Sequence, residues 1–128
     1  MDCYTLALYN PVFREEISMP SKTFYFPELP DNYNTLTVDQ CFELGAGTGS
    51  SQWNAGVQLA LYLAKHYSGG GKALELGCGL GLVSIVMSIL GFDVAATDSN
   101  SVLLDCTLKN LESNLGPQHT WRVLSLEW

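Results

Sequence analysis

Positive charge is scarce in this chain. Six Lys and Arg stand against thirteen Asp and Glu over 128 residues, for a formal charge of −7, and the six are scattered. A protein that grips a phosphate backbone needs clustered cations to displace condensed counterions, so no nucleic-acid partner is expected. Long apolar runs are lacking as well. The longest charge-free apolar stretch, Leu80 to Phe92, is too short to span a bilayer, and no membrane partner is expected. The four cysteines, Cys3, Cys41, Cys78 and Cys106, form no C-x-x-C pair, and His66 and His119 lie far from them in sequence, which leaves no metal-ligand spacing. Cys78 and Cys106 read as small buried side chains, not nucleophiles. Near the N-terminus Asp2, Arg14, Glu15 and Glu16 interrupt any apolar stretch, so no signal peptide is read. The expected setting is reducing and intracellular, cytoplasmic with the nucleus as the alternative.

What the chain does have is apolar material. At 47% hydrophobic and 15% charged residues it can build one globular core. Residues 1–50 read as an N-terminal arm, punctuated by Pro11, Pro20, Pro27 and Pro30, with short β-prone runs at Thr23 to Phe26 and Leu36 to Phe42. Residues 51–128 read as the main unit. Asn54 to Tyr67 carries a broad apolar stripe that predicts a largely buried helix, ended by Ser68-Gly69-Gly70-Gly71. A strand at Lys72 to Leu76, a helix at Leu80 to Leu90 and a strand at Phe92 to Thr97 follow. Leu103, Leu104, Leu108, Leu111 and Leu115 mark a third helix, capped by Ser99 or Asn100 and stopped at Asn114-Leu115-Gly116-Pro117. Arg122 to Leu126 supplies a third strand. This alternation predicts an α/β fold, a Rossmann-like doubly wound parallel sheet covered on both faces, with its ligand at the carboxyl ends of the strands.

Between the first of those strands and its helix lies Glu75-Leu76-Gly77-Cys78-Gly79-Leu80-Gly81. Glycines there let a ligand approach the backbone, and the start of a helix offers unpaired N–H donors. A second copy of the pattern, Glu43-Leu44-Gly45-Ala46-Gly47-Thr48-Gly49, is followed by Ser50-Ser51-Gln52-Trp53 where an apolar helix would be needed. The later copy is therefore assigned as the site, and the earlier one either lies over a cofactor or connects strands. A dinucleotide fingerprint would want glycine where Leu82 stands, and a Walker loop would want Ser or Thr where Ala73 follows Gly71-Lys72. Asp98 closes the second strand of the unit, where an acid can accept from both ribose hydroxyls of an adenosine group; its other reading is a cap for the following helix. Glu75 is either a structural acid bonded to loop amides or a partner of a cofactor's ammonium group, since a buried carboxylate without donors is costly.

The run Leu74 to Ile85, with Leu90-Gly91-Phe92-Asp93-Val94 and Ala96-Thr97-Asp98, resembles the seven-strand class I methyltransferases. Within that class the chain is most similar to the methyltransferase-like 21 branch of protein-lysine methyltransferases. Gln52-Trp53-Asn54-Ala55-Gly56 ahead of Leu59-Ala60-Leu61-Tyr62-Leu63, Asn110 and Asn114, and Leu126-Glu127-Trp128 carry that narrower likeness. The resemblance spans about residues 36–128. It implies S-adenosylmethionine as cofactor, held by Trp53, Glu75, Gly77, Cys78, Gly79, Gly81, Asp98 and Trp128, and a protein substrate presenting a lysine side chain. Trp53 and Trp128 also read as large packing side chains, and Trp121 as packing alone. The acidic balance suits a basic protein segment and equally serves solubility.

The resembled family positions its acceptor with Asp and Tyr at the end of a fourth strand, beyond the three strands predicted here. The chain is accordingly expected to be the cofactor-binding half of the fold, without the acceptor side. A small-molecule methyltransferase of the same fold and a noncatalytic cofactor-binding module are the alternatives, because fold alone does not choose a reaction.

Overall fold

The computed structural model describes residues 20–41 and 54–127. Trp53, Trp128 and the earlier glycine-rich copy at residues 43–49 lie outside them. In chain order the elements are β1 (Ser21–Tyr25), β2 (Thr35–Asp39), α1 (Asn54–His66), β3 (Lys72–Leu76), α2 (Leu82–Ile89), β4 (Asp93–Asp98), α3 (Ser101–Asn114) and β5 (Trp121–Ser125). The first two strands pair antiparallel, Ser21 opposite Asp39 and Tyr25 opposite Thr35. The other three form a parallel sheet in the order β3-β4-β5, joined through α2 and α3 as a βαβαβ unit. This is the expected Rossmann-like α/β plan in partial form.

β2 alternates Thr35, Leu36, Thr37, Val38, Asp39, with Leu36 and Val38 buried and their neighbours exposed, the period of a half-buried strand. Leu36, Val38, Phe26 and Leu29 belong to one core with α2 and α3. The free edge of β2 is satisfied by side chains of α3. Asn114 Oδ1 accepts from Thr37 N at 3.1 Å while its Nδ2 donates to Thr37 O at 2.8 Å. Asn110 Oδ1 accepts from Asp39 N at 2.9 Å while its Nδ2 donates to Asp39 O at 3.0 Å. Residues four apart on a helix and two apart on a strand rise by similar distances, so two asparagines imitate a pairing strand.

α2 is apolar on all sides, and seven of its eight residues are buried. A helix of that character belongs inside, here between α1 and the sheet. It starts two residues later than the sequence predicts, at Leu82, because Gly81 at φ 96° takes the cap position and Gly81 N bonds back to Cys78 O at 2.9 Å. α3 is capped by Asn100, whose side chain accepts from Leu103 N at 3.1 Å. Of the leucines that mark it in the sequence, Leu103 and Leu111 are buried together with Thr107 and Asn110, and Leu108 is exposed.

Three further expectations are corrected. α1 buries only Ala60 and Ala64, and Leu59 and Tyr62 are exposed, because its inner face meets α2 through small residues. Among the described residues the sheet is covered by helices on one face, where the sequence predicts two. Parallel partners share a face, so Leu74, Ala95 and Arg122 lie with Leu76, Thr97 and Leu124 on the side away from the helices. Leu74 is 62% exposed, Leu76 58% and Leu124 46%. An Arg122–Asp93 ion pair at 2.9 Å sits on the same side, and such exposed pairs add little stability. Finally, Cys106 is not an isolated small side chain but is joined to Cys41 as a disulfide across 65 residues of sequence. No spacing motif announces a pair so far apart. Among the described residues, no helix is long and apolar enough to cross a membrane.

The cysteine pairing is open to direct count. Thiol titration of the unfolded chain should show that reduction releases the two thiols of Cys41 and Cys106. Cys41 and Cys106 titrating without reduction would mean that they are neighbours without a bond.

Candidate functional site

The glycine loop leaves the carboxyl end of β3 and is held from every side. Cys78 N donates to Thr97 O at 2.8 Å, which extends the β3–β4 ladder into the loop. Gly79 N donates to Asp98 Oδ2 at 3.3 Å, and the other carboxylate oxygen accepts from Asn100 N at 3.1 Å. Asp98 therefore joins the loop to the end of β4. The capping alternative for Asp98 falls to Asn100, which performs that task. Leu126 N donates to Asp98 O at 3.0 Å, so the chain after β5 passes beside the same residue.

The loop's glycines serve different ends. Gly77 has φ 66°, and among the described residues no atom beyond its chain neighbours lies within 4 Å of the point where a Cβ would stand. Its backbone is approachable, as a cradle for a ligand requires. Gly81, at φ 96°, faces inward, where a Cβ would meet Leu111 Cδ1 at 2.6 Å and Thr107 Cγ2 at 3.2 Å. Close packing on α3 explains Gly81 without a ligand. Gly79 also has positive φ.

Glu75 points from β3 to the start of α2. Its Oε1 accepts from Ser84 Oγ at 2.6 Å, and the backbone N–H of Ser84 donates to the carboxyl as well. The structural reading of this acid holds in a particular form, since it caps α2, whose own N-terminal position, Gly81, has no side chain to offer. Burial, opposed by the two Ser84 bonds and assisted slightly by the charge of Asp98, pushes the Glu75 carboxyl up to about 7. Burial and then the charge of Glu75 push the Cys78 thiol up to about 12, which keeps it protonated and unreactive. Cys78 is thus a small buried residue, as the sequence reading has it.

The structure brings together Glu75, Gly77, Cys78, Gly79, Gly81 and Asp98. It adds four residues that the sequence reading does not assign to the site: Ser84, Asn100, Thr107 and Asn110. Thr107 Oγ1 donates to Gly79 O at 2.5 Å and Asn110 Nδ2 to Leu80 O at 3.0 Å. A signal for these two exists in hindsight, namely polar residues three apart on the side of a leucine-rich helix where the core must lie.

A parallel βαβαβ sheet with a glycine loop at the end of its first strand and an acid at the end of its second is consistent with a partial Rossmann-like methyltransferase fold. The chain belongs to the lysine methyltransferase family, which it matches over residues 31–128. It is 41% identical over 105 residues to mouse protein N-lysine methyltransferase METTL21A, covering 80% of this chain and 45% of that protein. It is 33% identical over 95 residues to mouse EEF1A lysine methyltransferase 3, covering 73% of this chain and 40% of that protein. A ribosomal protein L11 methyltransferase of Campylobacter hominis is 32% identical over 80 residues, 62% of this chain and 25% of its own length. The chain thus spans less than half the length of each of these relatives.

The Glu75 environment makes a prediction with a sign. A carboxyl whose folded pKa lies above its unfolded value contributes stability fully below the ordinary 4.5 and loses it as pH climbs through about 7. Glu75→Gln, which keeps an acceptor for Ser84, should therefore be more stable than the parent by about 1–3 kcal/mol near pH ~8 and nearly equal near pH ~5. Urea denaturation at the two pH values checks it. Equal destabilisation at both would show that the ionised carboxylate's bonds to Ser84 outweigh the cost of its burial.

Proposed function

We propose that this chain is the cofactor-binding portion of an S-adenosylmethionine-dependent protein-lysine methyltransferase. The observation that carries the reading is the carboxylate of Asp98 at the end of β4, fixed by Gly79 N and Asn100 N beside the approachable backbone of Gly77. Each oxygen of a carboxylate has more than one acceptor direction, so Asp98 can serve the loop and still accept from ribose hydroxyls. Gly77, Cys78 and Gly79 would line the cofactor, Glu75 and Gly81 would support the loop from beneath, and Trp53 and Trp128 are carried as further cofactor contacts. The division into an arm at residues 1–50 and a cofactor unit at residues 51–128 belongs to the same reading.

When bound, S-adenosylmethionine supplies an activated methyl group on a sulfonium centre, so the protein's task is alignment, exclusion of water and deprotonation of the acceptor. The residues described here perform the first of these. The acceptor proposed is a lysine side chain of a protein, supported by the family and by two relatives that are lysine methyltransferases. The acceptor-binding side would come from sequence beyond the cofactor unit, in keeping with the greater length of the relatives. The compartment proposed is the cytoplasm, with the nucleus as the alternative.

Calorimetric titration of the purified chain with S-adenosylhomocysteine, beside an Asp98→Ala variant, tests the proposal. Saturable binding by the parent and a loss of at least about tenfold in the variant are expected, the scale of a charged hydrogen-bonding group removed from a ligand. No binding by a demonstrably folded chain would overturn the cofactor reading and leave a noncatalytic module of this fold.

A further inference from the structure

The glycine loop is not shaped by its own strand and helix alone. Two consecutive carbonyls, those of Gly79 and Leu80, turn toward α3 and are received there by Thr107 Oγ1 at 2.5 Å and Asn110 Nδ2 at 3.0 Å. Both side chains are buried, Thr107 at 0% and Asn110 at 1% exposure. The hydroxyl of Thr107 also lies 3.0 Å from Leu103 O, the acceptor that a helical threonine takes by default. The hydroxyl oxygen lies closer to Gly79 O, and its single hydrogen can serve only one of the two well. Asn110 uses its full amide, since one N–H goes to Leu80 O, the other to Asp39 O, and its oxygen receives Asp39 N. Every peptide bond of the described chain is trans. In a trans peptide the N–H points opposite to the preceding carbonyl, so drawing Gly79 O toward α3 turns Leu80 N–H away from α3, toward the ligand side of the loop.

We propose that Thr107 and Asn110 are positioning residues of the cofactor site: Thr107 holds the carbonyl of Gly79 so that Leu80 N–H faces the cofactor, while Asn110 holds the carbonyl of Leu80, leaving Gly81 N–H to close the turn on Cys78 O, and couples that loop to the β1–β2 hairpin through Asp39. The proposal rests on the S-adenosylmethionine reading of the loop, but the geometry of the clamp does not. Thr107 removes Gly79 O from solvent while Asp98 fixes the N–H of the same residue, so Gly79 is pinned at both ends. Gly81, in contact distance of Leu111 and Thr107, seats the next residue but one on the same helix face. Asn114, one turn further on, grips only Thr37 of β2 and itself touches no loop residue through any of its hydrogen bonds. It is the internal control, equal in hairpin anchoring and without a hand on the loop.

The test uses the whole chain and two readouts, S-adenosylhomocysteine affinity by calorimetry and amide hydrogen exchange at Gly79 to Gly81 by NMR without ligand. Thr107→Val, which keeps shape and removes the hydroxyl, should weaken affinity by about tenfold and speed exchange in the loop. Thr107→Ser should restore both, and Asn110→Ala should act in the direction of Thr107→Val. Asn114→Ala should lower the melting temperature while leaving affinity and loop exchange as in the parent. Parental affinity and loop exchange in Thr107→Val, or a loop response to Asn114→Ala as large as that to Asn110→Ala, would overturn the positioning role. Loop exchange that responds as expected in a chain that binds no S-adenosylhomocysteine would instead uphold the clamp and remove the cofactor reading.

Discussion

The buried amide of Asn110 ties three parts of the molecule to one point. It completes the edge of β2, receives the carbonyl of the glycine loop and stands on the helix that carries the second crossover of the parallel sheet. A side-chain amide has two donors and an acceptor oxygen, and in Asn110 both donors and the oxygen are satisfied by backbone alone. Buried polar networks stabilise a single arrangement only when every member is satisfied, and otherwise cost more than an apolar core would. The hairpin, the loop and α3 therefore have one mutual position in which Asn110 is content. Thr107 and Asn114, a turn to either side, extend the same row and narrow the choice further.

Electrostatics at the loop follow from where that packing puts two acids. Glu75 and Asp98 end or approach the ends of adjacent parallel strands, yet their surroundings separate them. Glu75 is enclosed beneath α2, with two bonds from Ser84, and its carboxyl titrates near neutrality. Asp98 takes one N–H from the loop and one from the start of the α3 cap, both from backbone. One acid supports the helix that follows the loop, and the other faces the place where strands end and ligands collect in such sheets. Cys78, between them, is kept as a thiol by the same burial that raises Glu75.

The helix-free face of the sheet sets a different constraint. Leu74, Leu76 and Leu124 form an apolar row on that face, and β3 has no strand on its outer side among the described residues. Parallel sheets are ordinarily covered on both faces, because their strands are apolar on both. The chain spans 45% and 40% of the two mouse relatives, so proteins of this family have further sequence with which to cover such a face. Covering matters for the site as well as for solubility, since the loop and Asp98 lie at the ends of the very strands concerned.

Much of this was legible along the chain. Period-two alternation in Leu36 to Asp39, the apolar run of α2, the glycines at its start and the Asn100 cap are local signals, because each depends on residues within a turn or a strand of one another. From them follow the order of elements, the parallel sheet and the loop with its acid. Four things were not legible, because each depends on how elements pack against one another, and the chemistry of the residues involved is ambiguous until the fold places them. Cys41 meets Cys106 across 65 residues, and Asn110 meets Asp39 across 71. Glu75 could equally have faced a ligand until α2 came to rest on it, and the leucines that mark α3 do not by themselves show that Thr107 turns inward. The sequence by itself determined the elements and the glycine loop, through local propensity and periodicity. The tertiary structure alone decided which polar groups hold that loop, because their partners are backbone atoms that only packing brings within hydrogen-bonding distance.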